Sequence, residues 1–289
     1  MNTYPKYIDL HMHTAVSDGT DSAAGIIGVV KETGIGIFSV TDHDAVKGCL
    51  QIRELLKEDD PFFVNGVELS CRDEKGKYHI LGYNYRTDNS PIVELVNYTH
   101  NLRMEKVNIR LNALKDTYGM TFPQEEIDQI LSLNNPGKPH IGNLIVRYGY
   151  AKDREEAFVN YLNKIKTRTP AIPPQKAIEA ILESGGIPVL AHAVFGDGSQ
   201  LLDDAELERR IGELKEYGLR GLECYYSGFS PKQQNMMLSF ADRFDLLSSC
   251  GSDYHGTNKM ILPGDTNLDD VNEASSHLHD LLDIFMQKT

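Results

Sequence analysis

Short apolar runs alternate with stretches of helical spacing over the first two-fifths of the chain. Tyr7-Ile8-Asp9-Leu10 and Ile35-Gly36-Ile37-Phe38-Ser39-Val40 read as strands, with a helix over Ser22 to Thr33 between them. Phe62 to Val64 and Tyr78 to Tyr83 are further strand candidates, and Val46 to Lys57 has helical spacing. Alternation of this kind predicts a parallel sheet built from βαβ units. From about Ile92 to about Arg168 the strand signals stop, and long amphipathic segments carry Asn, Lys, Arg and Glu on their polar faces. Pro136-Gly137-Lys138-Pro139 breaks this region internally, and Thr169-Pro170-Ala171-Ile172-Pro173-Pro174 closes it as a linker. The alternating pattern then resumes: helix near Pro174 to Ser184, strand Ile187 to Ala191, helix Ala205 to Tyr217, strand Gly221 to Tyr225, helix Lys232 to Phe244, strand Leu246 to Ser249. Residues 1–97 and 172–289 therefore read as two halves of one β/α domain. Residues 98–171 read as a helical insertion placed to act as a substrate-binding lid.

Composition bounds this picture without changing it. The 289 residues are 40% hydrophobic and 25% charged, ordinary globular values with enough apolar surface for a core. The formal charge of −13, from 42 acidic against 29 basic residues, repels long polyanions, so a phosphate-bearing substrate needs local cations, which bound divalent ions supply. Cys49, Cys71, Cys224 and Cys250 form no CxxC pair and read as buried small hydrophobes. The first ten residues lack the apolar stretch of a signal peptide, and nowhere do about 18 uninterrupted apolar residues occur. A cytoplasmic protein without a membrane partner is expected.

The candidate chemistry lies where apolar runs stop, which in parallel β/α folds is where active sites are built. His11 and His13 follow the first strand two residues apart, so both imidazoles face one side of an extended chain. Asp18 lies in the loop Ser17-Asp18-Gly19-Thr20 and reads either as a ligand or as a turn or cap residue. Thr41-Asp42-His43-Asp44 follows the second strand, with Asp42 or Asp44, more so Asp44, a candidate cap for the next helix. Glu68 follows the run Phe62 to Val67, and His79 opens an apolar strand. His192, Glu223, and the pair Asp253 and His255 end three later runs. One metal site accounts for His11, His13, His43, Glu68, His79, His192, Asp253 and His255 together. So many N and O ligands exceed the needs of one tetrahedral ion and imply two or three divalent ions, and without thiolates the candidates are Zn, Mn and Fe.

Taken in order, HxH, TDHD, a lone Glu, a lone His, AH and GSDxHG resemble the polymerase and histidinol phosphatase (PHP) superfamily. The helical insertion between the fourth and fifth motifs looks like its stand-alone phosphoesterases, which include 3',5'-nucleoside bisphosphate phosphatases and short-RNA 5'-exonucleases. The resemblance implies a distorted (β/α)7 barrel. It also implies that His11, His13, Glu68 and Asp253 surround one ion, that Glu68, His79 and His192 hold a second, and that Asp18, His43 and His255 hold a third. Ala193 stands where the family usually has Pro, and the stretch after Glu223 lacks a His often found there.

Such an arrangement implies a hydrolase acting through a metal-bound hydroxide, with His11, His13, Glu68, His192 and Asp253 as its catalytic residues and no protein nucleophile. The substrate is expected to be a small nucleotide, such as a nucleoside 3',5'-bisphosphate, or a short oligonucleotide. Phosphate contacts are expected from Lys138, His140, Arg103, Arg110, Arg147 and Arg168, with His140 at a helix start that favours anions. A histidinol-phosphate phosphatase and a non-catalytic metal-binding module are the alternatives. Sequence-specific binding of long nucleic acid is not expected, because no basic stripe, recognition helix or stacking array is present.

Overall fold

The computed structural model describes residues 4–88, 90–167 and 170–287. The chain divides into two compact units, Met1–Val96 with Ile172–Thr289, and Asn97–Ala171. In chain order the first unit begins β1 (Tyr7–Asp9), α1 (Ala23–Thr33), β2 (Ile35–Val40), α2 (Lys47–Leu55), β3 (Phe62–Arg72) and β4 (Lys77–Tyr83). Helix α3 (Pro91–Tyr118) leads into the second unit, which continues with α4 (Gln124–Leu131), α5 (Lys138–Arg147) and α6 (Arg154–Ala157). The first unit resumes with α7 (Pro174–Glu183), β5 (Ile187–Leu190), α8 (Asp204–Glu216), β6 (Gly221–Tyr226), α9 (Pro231–Phe244), β7 (Leu247–Gly251) and α10 (Ser276–Gln287). No helix among the described residues is long and apolar enough to cross a membrane.

Local chemistry explains these boundaries. The Ser22 side chain accepts from the Gly25 N–H at the start of α1, and Gly34, at φ 72°, ends it in the left-handed conformation that glycine adopts without a Cβ penalty. Ser230 and Gln233 form a reciprocal capping box on α9, with Pro231 at its first position.

The seven strands form one sheet in sequence order. Its pairings are parallel except at β4, which runs antiparallel to both β3 and β5. This corrects the all-parallel expectation. Only the residues between Arg72 and Lys77 join β3 to β4, and there Asp73 Oδ1 accepts from the Lys75 and Gly76 N–H groups. So short a link can make only a hairpin, since a parallel crossover needs a dozen or more residues. The sheet also extends beyond its regular pairs at both ends. Leu10 N–H donates to Cys250 O at 3.1 Å, Asp253 N–H to His11 O at 2.8 Å, and His13 N–H to Tyr254 O at 2.8 Å. Asp9 strengthens this junction: it is fully buried and accepts from the Ser252 N–H and hydroxyl and from the Gly264 N–H.

Strand β3 runs on to Arg72, so Glu68 lies inside it rather than at its end, with its backbone paired to Leu81 of β4. The linker residue Ile172 continues the edge beyond β3, its carbonyl accepting from the Arg72 N–H at 2.8 Å. Arg168 and Thr169 lie outside the described residues. The helical unit has its own core, in which Val107, Leu111 and Leu114 of α3 pack with Ile141, Leu144 and Ile145 of α5. Spacings of three and four place those residues on one face of each helix.

Candidate metal centre

The residues that follow β1, β2, β5 and β7 meet Glu68 of β3 and His79 of β4 in one buried cluster. Glu68 is its hub. Its Oε2 lies 3.3 Å from His11 Nε2, 3.3 Å from His13 Nε2 and 3.2 Å from His43 Nδ1. Its Oε1 lies 2.7 Å from His79 Nδ1 and 3.1 Å from His192 Nε2. Asp253 Oδ1 lies 3.3 Å from His13 Nε2, 3.7 Å from His11 Nε2 and 3.3 Å from His255 Nδ1. Asp18 reaches His255 Nε2 at 3.3 Å and His13 Nδ1 at 3.6 Å, with its second oxygen 3.8 Å from His43 Nε2. All nine expected ligand residues are therefore in one place.

Three groups among them could hold an ion, each with its donor atoms within 4.8 Å of one another: His11, His13 and Asp253; His43, Glu68 and His79; and His13, Asp18, His43 and His255. The grouping differs in detail from the expected one. His43 and His13 are each shared between groups, and His192 stands beside Glu68 and His79 without joining a group.

The orientation of these atoms indicates what they are for. His11 Nε2, His13 Nε2, His43 Nδ1 and Glu68 Oε2 are buried without a hydrogen-bond partner, although each lies within 3.3 Å of another member. Each buried polar atom left so costs about 1–3 kcal/mol. Imidazole nitrogens and carboxylate oxygens that converge on a shared space fit divalent cations, which would satisfy them all once the imidazoles are neutral, and neutral imidazole and carboxylate suit Zn, Mn or Fe.

The charges agree. Burial opposes protonation of His13, but the Asp253 and Glu68 carboxylates outweigh it and raise the pKa to about 9. His11 is likewise raised well above its ordinary value against burial, by Glu223 and Glu68. Burial lowers His43 to about 4. Against burial, the surrounding imidazoles hold Glu68 and Asp253 well below the usual carboxylate range. In metal-free protein the cluster thus carries protons where cations would sit.

A second set of residues aims the first. Glu223, fully buried on β6, accepts from His11 Nδ1 at 2.9 Å through one oxygen and from the His192 N–H at 2.8 Å through the other. This fixes His11 with Nε2 turned into the cluster, as carboxylates do behind metal-binding histidines. Asp42 accepts from the Thr14 N–H and hydroxyl and from the Ser17 hydroxyl, holding the loop that carries Asp18. Asp44 accepts from the Ser70 N–H at 3.0 Å. The N-cap residue of α2 is Val46, which makes no side-chain capping bond. Ser22, not Asp18, caps α1.

Asp253 Oδ2 accepts from the Tyr226 hydroxyl at 3.0 Å and from Lys259 Nζ at 2.5 Å. Sequence reasoning gave no role to Asp9, Tyr226 or Lys259, and for Glu223 it saw the placement without the partner. Asp44, His192 and Asp253 hold φ of 50°, 26° and 59°, left-handed values that concentrate backbone strain at strand ends around the cluster.

The expected substrate contacts lie in the helical unit. Lys138 donates to Asn163 Oδ1 at 2.8 Å, and Arg147 donates to both oxygens of Glu126 at the surface. His140 stands at the start of α5 as expected, but its Nδ1 accepts from the Gly137 N–H, and burial lowers its pKa. Its ring is thus tied to the backbone at the helix start. Arg110 is the exceptional cation: nine-tenths buried, lowered in pKa by that burial, and with its Nε unpartnered. Arg110 also lowers the pKa of Lys138, after burial itself, so the two cations share a neighbourhood; Arg103 acts similarly on His140.

Comparison with known proteins converges on one family. The chain is 27% identical over 255 residues to a 5'-3' exoribonuclease of Haemophilus influenzae, covering 86% of this chain and 90% of that one. It is 26% identical over 258 residues to a phosphoribosyl 1,2-cyclic phosphate 1,2-diphosphodiesterase of Eggerthella lenta, covering 86% and 94%. A solved structure described as a metal-dependent phosphoesterase of Bifidobacterium adolescentis aligns over 97% of both chains at 26% identity, with a TM-score of 0.76. The PHP domain matches residues 9–172, more than half of the chain, and carries every cluster residue except His192, Asp253 and His255. This protein belongs to the PHP domain family.

Proposed function

We propose that this metal-dependent phosphoesterase of the PHP family hydrolyses a phosphate ester of a small ribonucleotide, such as a nucleoside 3',5'-bisphosphate, or the end of a short oligoribonucleotide. The observation that carries the reading is the set of converging, unpartnered imidazole and carboxylate atoms around Glu68. The substrate class draws on the relatives: an exoribonuclease and a phosphoribosyl cyclic phosphate diesterase both act on phosphate esters of ribose.

His11, His13, Asp18, His43, Glu68, His79, His192, Asp253 and His255 would hold two or three divalent ions, with Mn, Zn and Fe all compatible with the donor set. Such ions supply an activated water at neutral pH and neutralise charge that develops on phosphoryl oxygens. The protein's own part is orientation. Glu223 turns His11 and tethers the backbone at His192, while the Tyr226 hydroxyl occupies the outer oxygen of Asp253 so that Oδ1 faces the cluster. The hydrogen bonds linking the ends of β1 and β7 support closure of the sheet into a distorted (β/α)7 barrel. In the helical unit, Arg110 and Lys138 are proposed to receive a substrate phosphate.

The test is phosphate release from adenosine 3',5'-bisphosphate and from histidinol phosphate, using protein stripped of metal and then given Mn or Zn. Release from the nucleotide that returns with metal and is absent in His11→Ala is expected. Release from histidinol phosphate alone would replace the substrate class, and metal binding without turnover of any phosphate ester would refute the reading.

A further inference from the structure

In a chain this acidic, a protein cation beside the metal ligands would add to the attraction for a phosphoryl group. Among the described residues, Lys259 is the one lysine or arginine ion-paired with a cluster carboxylate, Nζ lying 2.5 Å from Asp253 Oδ2. Lys77, another lysine in this part of the fold, is paired with Asp197, which is not a cluster member.

Three features suit Lys259 to exchange partners. Asp253 Oδ2 keeps the Tyr226 hydroxyl at 3.0 Å, so departure of the ammonium does not orphan that buried oxygen. Lys259 has 37% of its side chain exposed while Asp253 has 7%, so the lysine reaches the cluster from its solvent edge. The segment just before it is anchored, with the Asn258 side-chain Nδ2 donating to Asp18 O at 2.8 Å and the Thr257 backbone N–H to Thr20 Oγ1 at 3.0 Å. Just after it, Met260 and Leu262 are largely exposed. The stem is thus held at a fixed place on the rim, and the flexible four-carbon side chain remains free to turn.

We infer that Lys259 is a phosphoryl-binding residue of this site: on substrate entry its ammonium leaves Asp253 Oδ2 and binds a non-bridging phosphate oxygen, with Tyr226 holding Asp253 in place. The inference rests on the phosphoesterase reading above, and it separates two donors that look equivalent, one for the substrate and one for the metal ligand.

The test uses the full chain loaded with Mn, with inorganic phosphate as the probe. Calorimetry on the wild type, Lys259→Gln, Lys259→Arg and Tyr226→Phe would measure Mn affinity and then phosphate affinity. Losing one charge-assisted hydrogen bond to phosphate is expected to weaken phosphate binding by Lys259→Gln about tenfold to a hundredfold. Mn affinity should stay within about twofold, and Lys259→Arg should recover most of the phosphate binding. Tyr226→Phe should do the reverse and weaken Mn more than phosphate. Unchanged phosphate affinity in Lys259→Gln, absence of phosphate binding by the loaded wild type, or a loss of Mn affinity equal to that of Tyr226→Phe would each overturn the inference. If phosphate binding depends on Lys259 while no phosphate ester is turned over, the assignment of Lys259 stands and the proposed function falls.

Discussion

At the scale of single residues, charge and burial decide what each polar group does. Glu223 shows this in its two bonds, one oxygen to His11 Nδ1 and the other to the His192 N–H. A glutamine has the same shape but only one acceptor, so Glu223→Gln puts an amide donor against one of those two donors. Removing such a carboxylate partner typically costs ten- to a hundredfold in metal affinity, and that loss is expected in a Mn titration of the variant, with the fold intact by circular dichroism. An affinity within twofold of wild type would remove Glu223 from the site. Arg110 presents the opposite case, a buried guanidinium whose Nε has no partner. Exchanging an uncompensated buried charge for an apolar side chain of similar length is often neutral or stabilising by about 1 kcal/mol or more. Arg110→Met should therefore melt at or above the wild-type temperature while its KM for the nucleotide rises. A melting point several degrees lower would mean that the guanidinium is held by the fold rather than kept for a ligand.

At the scale of elements, strand ends carry the chemistry, and tight packing between neighbours keeps it aligned. A Cβ on Gly251 of β7 would lie 2.2 Å from His11 Cβ and 2.6 Å from Glu223 Oε1. Neither can retreat without moving a cluster residue, and overpacking of this kind costs about 1–3 kcal/mol. Gly251→Ala is expected to lower both the melting temperature and the Mn affinity. Gly28→Ala in α1, where the added methyl meets nothing within 4 Å, should leave Mn affinity unchanged and raise stability slightly. Equal behaviour of the two variants would refute the packing argument. Much of this was legible in the sequence, because apolar runs followed by His or Asp mark the ends of β1, β2, β5 and β7, whereas Glu68, His79 and Glu223 lie within β3, β4 and β6. Strand direction was not legible from periodicity, which is the same for parallel and antiparallel neighbours. The cue was the short Asp73–Gly76 link, whose turn chemistry allows only a hairpin. The supporting roles of Asp9, Asp42, Glu223, Tyr226 and Lys259 depend on contacts between residues up to 255 positions apart, as between Asp9 and Gly264, and spacing along the chain does not encode them.

At the scale of the whole molecule, the cluster couples folding to protons and to metal. His13 has its folded pKa raised to about 9. A raised folded value means stability that is fully present below the unfolded value of about 6.5 and lost as pH rises through about 9. His43 has the opposite shift, to about 4, so its contribution is present above about 6.5 and lost as pH falls towards 4. Together the two place the greatest stability of metal-free protein near neutral pH, with a decline on each side. Metal changes the alkaline side. Ligation requires neutral imidazoles, so binding releases the protons held on His11 and His13, and affinity rises with pH as those protons become easier to remove. Thermal unfolding in chelator at pH 6.5, 8 and 9.5 should therefore show a falling midpoint. The same series with saturating Mn should show a midpoint whose gain over the metal-free protein widens with pH. A metal-free midpoint that stays flat from pH 6.5 to 9.5, or a gain that shrinks over that range, would mean that the His13 proton is not what balances Glu68 and Asp253 in the absence of metal.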